Sequence, residues 1–276
     1  MSRTVVRHVT GGIAVLVSAA VFLVPFAFIV VQSLKTGPDS ATLEFTWPVD
    51  VVLWENIVTV FQTRDYMLIT AFINSTVLTV LSVSIMVVLA AMIGWVLARR
   101  PSRWNPVITF FILAGLIVPP AIVPTASIMQ TLGIFNTVFG LALVEVAYGM
   151  SFCVLLFRAF VSNIPRELDE AAAIDGAGPI RLFFQVGFPL LRSVIVTAIV
   201  VQSVAVFNDF ANPLYFLPGE ENATVQLTLF NFQSQFQTTW NLLFTDILLI
   251  TIPPLIMYIF FNRQIVAGMT SGAIKG

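Results

Sequence analysis

The segment Glu170-Ala171-Ala172-Ala173-Ile174-Asp175-Gly176-Ala177-Gly178-Pro179 lies in the longest polar interruption in the second half of an otherwise apolar chain. Its setting, residues 164–189, carries Arg166, Glu167, Asp169, Glu170, Asp175 and Arg181. Apolar runs too long for a soluble helix flank it on both sides. A loop with this much charge must lie in water, whereas runs of about 18 or more apolar residues belong in a bilayer. Pro165 suits the first turn of a helix, where its missing N–H costs nothing. Glu167, Asp169 and Glu170 complement the positive end of the helix dipole. Leu168, Ala171, Ala172 and Ala173 are mostly good helix formers. Asp175-Gly176 predicts a stop, because glycine takes the left-handed cap conformation. Pro179 opens a second short helix, with Ile180, Phe183, Phe184 and Val186 as its apolar surface, and Pro189 leads into the next apolar run.

Composition agrees with a membrane protein. Of 276 residues, 58% are hydrophobic and 10% charged, against about 25% charged in ordinary soluble domains, and mean hydropathy is +0.96. The net charge of −1 offers no basic face for nucleic acid. Cys153 is the single cysteine and His8 the single histidine. An internal disulfide is therefore impossible and a Cys/His metal site nearly excluded. No glycine-rich loop ending in Gly-Lys-Ser/Thr is present, so ATP binding through a P-loop of its own is not expected.

Read in order, the chain predicts an all-α integral membrane protein of six transmembrane helices forming one domain over 1–276. The spans are about 11–31, 68–97, 106–118, 138–157, 191–216 and 240–261, with a polar loop at 159–190. The first apolar run, behind Arg3 and Arg7, is about 20 residues against about 7–15 for a signal peptide, and is read as a retained span. Residues 32–65 read as an external loop containing Lys35 and the interfacial tryptophans Trp47 and Trp54. Asn74 and Ser75 are placed to hydrogen-bond a neighbouring helix. Pro119-Pro120 ends or bends the third span, and Pro253-Pro254 interrupts the sixth.

Charge sorts the loops. Arg3, Arg7, Arg99, Arg100, Arg103, Arg158, Arg166, Arg181, Arg192, Arg263 and Lys275 fall on one side of this topology, Lys35 and Arg64 on the other. The positive-inside rule makes both termini and the 159–190 loop cytoplasmic.

The residues alone leave two readings of the loop: an amphipathic segment resting on the membrane face, or a docking handle for another protein. Glu170-Ala171-Ala172, Gly176 and Val186-Gly187-Phe188-Pro189 together resemble the EAA loop of ABC importer permeases. Val186 and Phe188 stand where Ile and Leu are usual. Asn74-Ser75, Ala98-Arg99, the prolines after the third span, and Phe207-Asn208-Asp209-Phe210 with Pro213-Leu214 look like the same family, though tryptophan is more usual than Phe207. The ending Gly268-Met269-Thr270-Ser271-Gly272-Ala273-Ile274-Lys275-Gly276 is similar to that of maltose-permease-like subunits. Ser193 stands where a proline is expected.

The resemblance implies a carbohydrate-type permease with the type I ABC importer fold, in a prokaryotic cytoplasmic (inner) membrane. Its partners would be a second permease subunit in a heterodimer, two ATP-binding subunits and an extracytoplasmic solute-binding protein, with a sugar as cargo and lipid around it. ATP and magnesium would sit on the partner subunits; this chain would bind no cofactor and hydrolyse nothing. Glu170, Ala171, Ala172, Asp175, Gly176 and Ala177 would form the coupling helix, and Gly272, Lys275 and Gly276 would reach the ATPase interface. Transport would proceed by alternating access.

Three acids fall at membrane depth: Glu145, Asp209 and Asp246. Charges there face a cavity or a partner. Glu145, Asn208, Asp209, Asn212 and Tyr215 are the candidate translocation path, since hydrogen-bonding groups beside an aromatic suit sugar hydroxyls and ring faces. Polar packing between helices is the competing reading. Cys153 reads as a small buried apolar residue and His8 as a solvated one. An ion-coupled secondary transporter using Asp209 or Glu145, or a non-transporting membrane scaffold, would leave the loop and the tail unexplained.

Overall fold

The computed structural model describes residues 3–233 and 238–271. In chain order the helices are α1 (Arg3–Ser33), α2 (Gly37–Ser40), α3 (Leu53–Gln62), α4 (Met67–Arg99), α5 (Asn105–Ile117), α6 (Ile122–Thr131), α7 (Val138–Val161), α8 (Glu167–Ile174) and α9 (Pro179–Leu182). A π-helical turn, Phe183–Gly187, leads to α10 (Phe188–Leu190), α11 (Arg192–Phe207) and α12 (Ala211–Phe216). A 3-10 helix, Val225–Phe232, precedes α13 (Trp240–Ser271). Among the described residues, α4, α7 and the Trp240–Asn262 part of α13 are each long and apolar enough to cross a membrane. Two bent pairs pass together: α5 with α6, at 114°, and Pro179–Leu190 with α11, at 76°. Val17–Ser33 of α1 is a shorter apolar helix.

The chain divides into two compact units. The first is Met1–Ile69 with Leu227–Ile252. The end of a helix leaves carbonyls without intrahelical partners. At the end of α1, Asn56 of α3 takes one of these carbonyls and one just beyond the helix, donating from Nδ2 to Ser33 O and Lys35 O at 2.9 Å each. Asn56 Oδ1 in turn accepts from Asn241 Nδ2 at 2.8 Å, and Ser40 Oγ accepts from the Asn241 backbone N–H at 3.0 Å. Lys35, read from sequence as part of an external loop, is fully buried. Burial is tolerable because Nζ donates to Glu44 O at 2.9 Å and Thr46 Oγ1 at 3.1 Å, with the Asp39 carboxylate 3.9 Å away. The 32–65 segment is thus a knot of short helices on a buried polar network rather than a plain loop. Asp246 is also fully buried, and its Oδ2 accepts from Thr228 Oγ1 at 2.8 Å.

The second unit is Thr70–Gln226 with Pro253–Gly276. Its core gathers Met86, Ala90, Ala91 and Trp95 of α4, Leu141, Cys153, Val154 and Phe157 of α7, and Leu191, Val194 and Ala198 around α11. Small residues let the backbones approach closely. At Gly94 the approach is tight: a Cβ there would lie 2.8 Å from Phe157 Cβ and 2.9 Å from the Arg158 backbone nitrogen. Arg158 also ties α7 to α5, donating from Nη1 to Thr109 Oγ1 at 2.9 Å.

Several sequence readings change. Asn74 bonds an irregular segment and Ser75 the start of the 3-10 helix that follows it: Asn74 Nδ2 donates to Ala223 O at 3.1 Å, and Ser75 Oγ accepts from Val225 N at 3.0 Å. The 191–216 stretch is two helices, not one. Asn208 Nδ2 turns back to Val204 O at 2.9 Å, and Asp209 Oδ1 accepts from Ala211 N at 3.0 Å. These side chains compete with the backbone ladder, ending α11 and starting α12. Pro253-Pro254 does not interrupt the last helix: α13 continues through both prolines. Each proline forfeits one ladder bond, a loss that membrane helices absorb.

Candidate functional site

The 159–190 loop is built around α8. Its first turn carries Glu167, Asp169 and Glu170. Pro165 lies ahead of the helix rather than in its first turn, because its carbonyl and that of Ile164 turn to Arg99: Nη2 donates to Ile164 O at 2.9 Å and to Pro165 O at 3.4 Å. The helix stops where the sequence predicts. Gly176 has φ +81, its N–H donates to Ala173 O at 3.1 Å, and the Ala177 N–H donates to Ala172 O at 3.0 Å. This pair of bonds around a left-handed glycine is a Schellman cap.

Glu170, Ala171, Asp175 and Gly176 are exposed, and Ala172 and Ala177 half-buried. Beside them Ile174 is 86% and Ile180 75% exposed. Large apolar side chains left this exposed by their own chain mark a contact surface when they cluster. A groove of about 510 Å³ runs between the loop and the end of α4, lined by Val96, Arg100, Glu170, Ala173, Ile180 and Phe184 among others. Gly272, Lys275 and Gly276 lie outside the described residues.

Arg99 is the residue here that sequence reasoning missed. Its Nε stands 2.7 Å from Asp169 Oδ2, and its guanidinium lies 5.1 Å from the centroid of the Trp95 ring. Partial burial raises the Asp169 carboxyl above its ordinary value, and Arg99 and then Arg166 pull it back. The Trp95 ring packs on the far side of the loop, where a Cβ on Gly187 would lie 2.9 Å from Trp95 Cη2. The sequence signals are a charged residue at the end of a span and the family-like pair Ala98-Arg99, neither of which names the partners of the guanidinium.

The candidate path residues gather only in part. Glu145 of α7 is buried, and its Oε1 accepts from Asn212 Nδ2 at 3.0 Å. Asp209 Oδ1 accepts from Ala211 N at 3.0 Å and Asn212 N at 3.4 Å, so Asn212 links the two acids. Asn208 turns elsewhere, its Oδ1 accepting from Gln226 Nε2 at 3.3 Å. Tyr215 is 50% exposed and, among the described residues, joins none of these bonds.

Comparison with known proteins bears on both places. The MelC protein of Bacillus subtilis (strain 168), described as a melibiose/raffinose/stachyose import permease protein, is 27% identical over 278 residues, covering 100% of this chain and 99% of that protein. The NgcG protein of Streptomyces coelicolor, described as a diacetylchitobiose uptake system permease protein, is 28% identical over 93% of this chain and 85% of that protein. The fold is that of a chain in the crystal structure of a bacterial ABC transporter involved in the import of the acidic polysaccharide alginate. The TM-score is 0.81 at 20% identity, over 95% of this chain and 98% of that one. The family model described as binding-protein-dependent transport system inner membrane component matches residues 86–270, which take in Arg99, the Gly176-capped loop and the Glu145–Asn212–Asp209 cluster. The chain belongs to that family of transport system inner membrane components.

Proposed function

We propose that this chain is one permease half of an ATP-driven importer of oligosaccharides, and that the Gly176-capped loop is the handle by which ATPase subunits move it. The observation that carries this reading is the loop itself: a short acidic helix, closed by a left-handed glycine, with Ile174 and Ile180 left exposed beside it. The other half would be a different permease subunit. ATP and magnesium would sit on two ATP-binding subunits, with this chain hydrolysing nothing, and a solute-binding protein would deliver the sugar from outside. The arginine asymmetry of the sequence supports cytoplasmic termini and a cytoplasmic loop. Residues Gly272, Lys275 and Gly276 would reach towards the ATPase interface from the same side. In this scheme nucleotide-driven closure of the ATPases pulls on α8 and turns the pore from inward-open to outward-open.

The test is contact. Ile174→Cys in the assembled transporter should cross-link, through a short bifunctional reagent, to an ATP-binding subunit and more weakly to other subunits. A cross-link confined to lipid or to the permease partner would overturn the docking role.

The sugar pathway is proposed to run past Glu145, Asn212 and Asp209, with Asn208 and Tyr215 flanking. Asp209→Asn retains an acceptor oxygen for the Ala211 N–H but removes the charge, whereas Asp209→Ala removes both. Both should lower uptake roughly tenfold, the equivalent of about 1.4 kcal/mol for a lost polar contact. Uptake is measured over melibiose, raffinose, stachyose and diacetylchitobiose. If only Asp209→Ala lowers it, Asp209 serves α12 as a cap and not the solute.

A further inference from the structure

We infer that Arg99 is a positioning residue that braces the last turn of α4 against the whole loop, so that motion of α8 is delivered to α4 directly. The inference rests on the reading of the loop as the ATPase handle, and adds to it a route into the membrane.

The chain itself makes a poor lever. Residues 162–166 between α7 and α8 are irregular and contain Pro165, so α8 could swivel on that linker without moving α7. On the other side, α9, the π-helical turn and α10 run on as one short helix, Pro179–Leu190, which breaks from α11 at a bend of 76°. Only a cross-brace makes such a loop move as a body with a membrane helix. Arg99 supplies one. It reaches the lead-in strand of the loop at Ile164 O and Pro165 O, and the first turn of α8 at Asp169. Through its stacking partner Trp95 it also reaches the exit of the loop at Gly187. The geometry suits arginine in particular. A guanidinium presents several N–H groups in a fixed plane and stacks on an aromatic face; a lysine ammonium is a point charge without that fixed fork. The side chain is only 9% exposed, so water competes weakly for these contacts.

The aromatic packing extends the brace. Phe183, buried in the π-helical turn, lies edge-on to Trp95 at 6.1 Å between ring centroids, and Phe188 lies 5.8 Å from Phe183. A π-helical turn is a local insertion that recurs at functional sites. Here it places Gly187 where Trp95 needs room. The last turn of α4 is therefore held at the beginning, the middle and the end of the loop.

The experiment uses the whole transporter in lipid nanodiscs, with spin labels at Ser102, just beyond α4, and at Ile174, on the exposed end of α8. Pulsed dipolar spectroscopy reads their separation without nucleotide and with ATP and vanadate. In the otherwise unaltered chain the distribution should be narrow and should not shift between the two states, because α4 and α8 move together. Arg99→Gln should broaden it on the order of twofold, and Arg99→Lys should fall between. Asp169→Asn, which is isosteric and leaves the carbonyl contacts in place, should broaden it as well, and it serves where Arg99→Gln does not assemble. Distributions in Arg99→Gln or Asp169→Asn as narrow as in the parent, in both states, would overturn the brace. Failure of the underlying reading looks different. The mobility of the Ile174 label would then be the same with and without the ATP-binding subunits, whatever residue stands at position 99.

Discussion

Gly176→Trp should cut ATP-driven uptake by at least about tenfold while leaving the permease inserted, assembled and nearly as stable as before. Two facts separate the two outcomes. First, a Cβ at Gly176 would meet nothing within 4 Å. The first carbon of a side chain there meets no part of this chain and the position is exposed, so bulk added at the cap is expected to obstruct a partner. Second, the backbone at φ +81 is left-handed, and a non-glycine residue costs about 1–2 kcal/mol there. That strain falls on an exposed cap, not on the core, and loosens α8 only at its end. Gly176→Ala carries nearly all of the strain and almost none of the bulk. It should therefore retain most of the uptake, which isolates obstruction as the cause. The measurements are solute uptake and ATP hydrolysis in proteoliposomes, with thermal denaturation of the purified complex alongside. A tryptophan variant that transports normally would remove the loop from the docking surface. An alanine variant as impaired as the tryptophan one would instead assign the effect to the cap.

The shape of α8 and its cap is legible in the sequence because its causes are local. A run of acids, three alanines and Asp-Gly specify a short helix and its stop through interactions spanning a few residues. The brace behind that helix has no such signal. Arg99 and Ile164 are 65 positions apart, and nothing in an apolar span ending in arginine says which carbonyls the guanidinium will meet. The same holds for Asn56 and Asn241, 185 positions apart, and for Glu145 and Asn212, 67 apart. Polar residues in a hydrophobic chain announce that a partner exists but not its identity. Two local rules also mislead. The rule for helices in water predicts a break at prolines 253 and 254, yet α13 runs through them. Hydropathy absorbs Asn208 and Asp209 into one long apolar span, although their side chains do what they do in soluble proteins and divide it.

Gly94→Leu should prevent assembly of a stable permease, and it is the substitution expected to damage the fold most. Magnitudes decide between two opposing effects. Replacing glycine in a helix by a better helix former gains about 1 kcal/mol in backbone terms. Against this, a Cβ at Gly94 would stand 2.8 Å from Phe157 Cβ and 2.9 Å from the backbone nitrogen of Arg158. The second contact is to main chain, which has no rotamer to swing away. Phe157 is fully buried and has nowhere to go. Overpacking of this kind typically costs about 1–3 kcal/mol, so Gly94→Ala should come out about 1 kcal/mol less stable than the parent. Leucine adds further carbons to a site with no room for the first. α4 and α7 must then part, and the contacts lining the gap are lost along the crossing. The loss should exceed about 3 kcal/mol and appear as failure to elute as a single species in size-exclusion chromatography after mild heating. Gly94 also lies next to Trp95 and about one turn from Arg99, so separation of the two helices would displace the brace together with the core. A leucine variant with the parent's melting behaviour would mean that the helices do not cross this closely at Gly94.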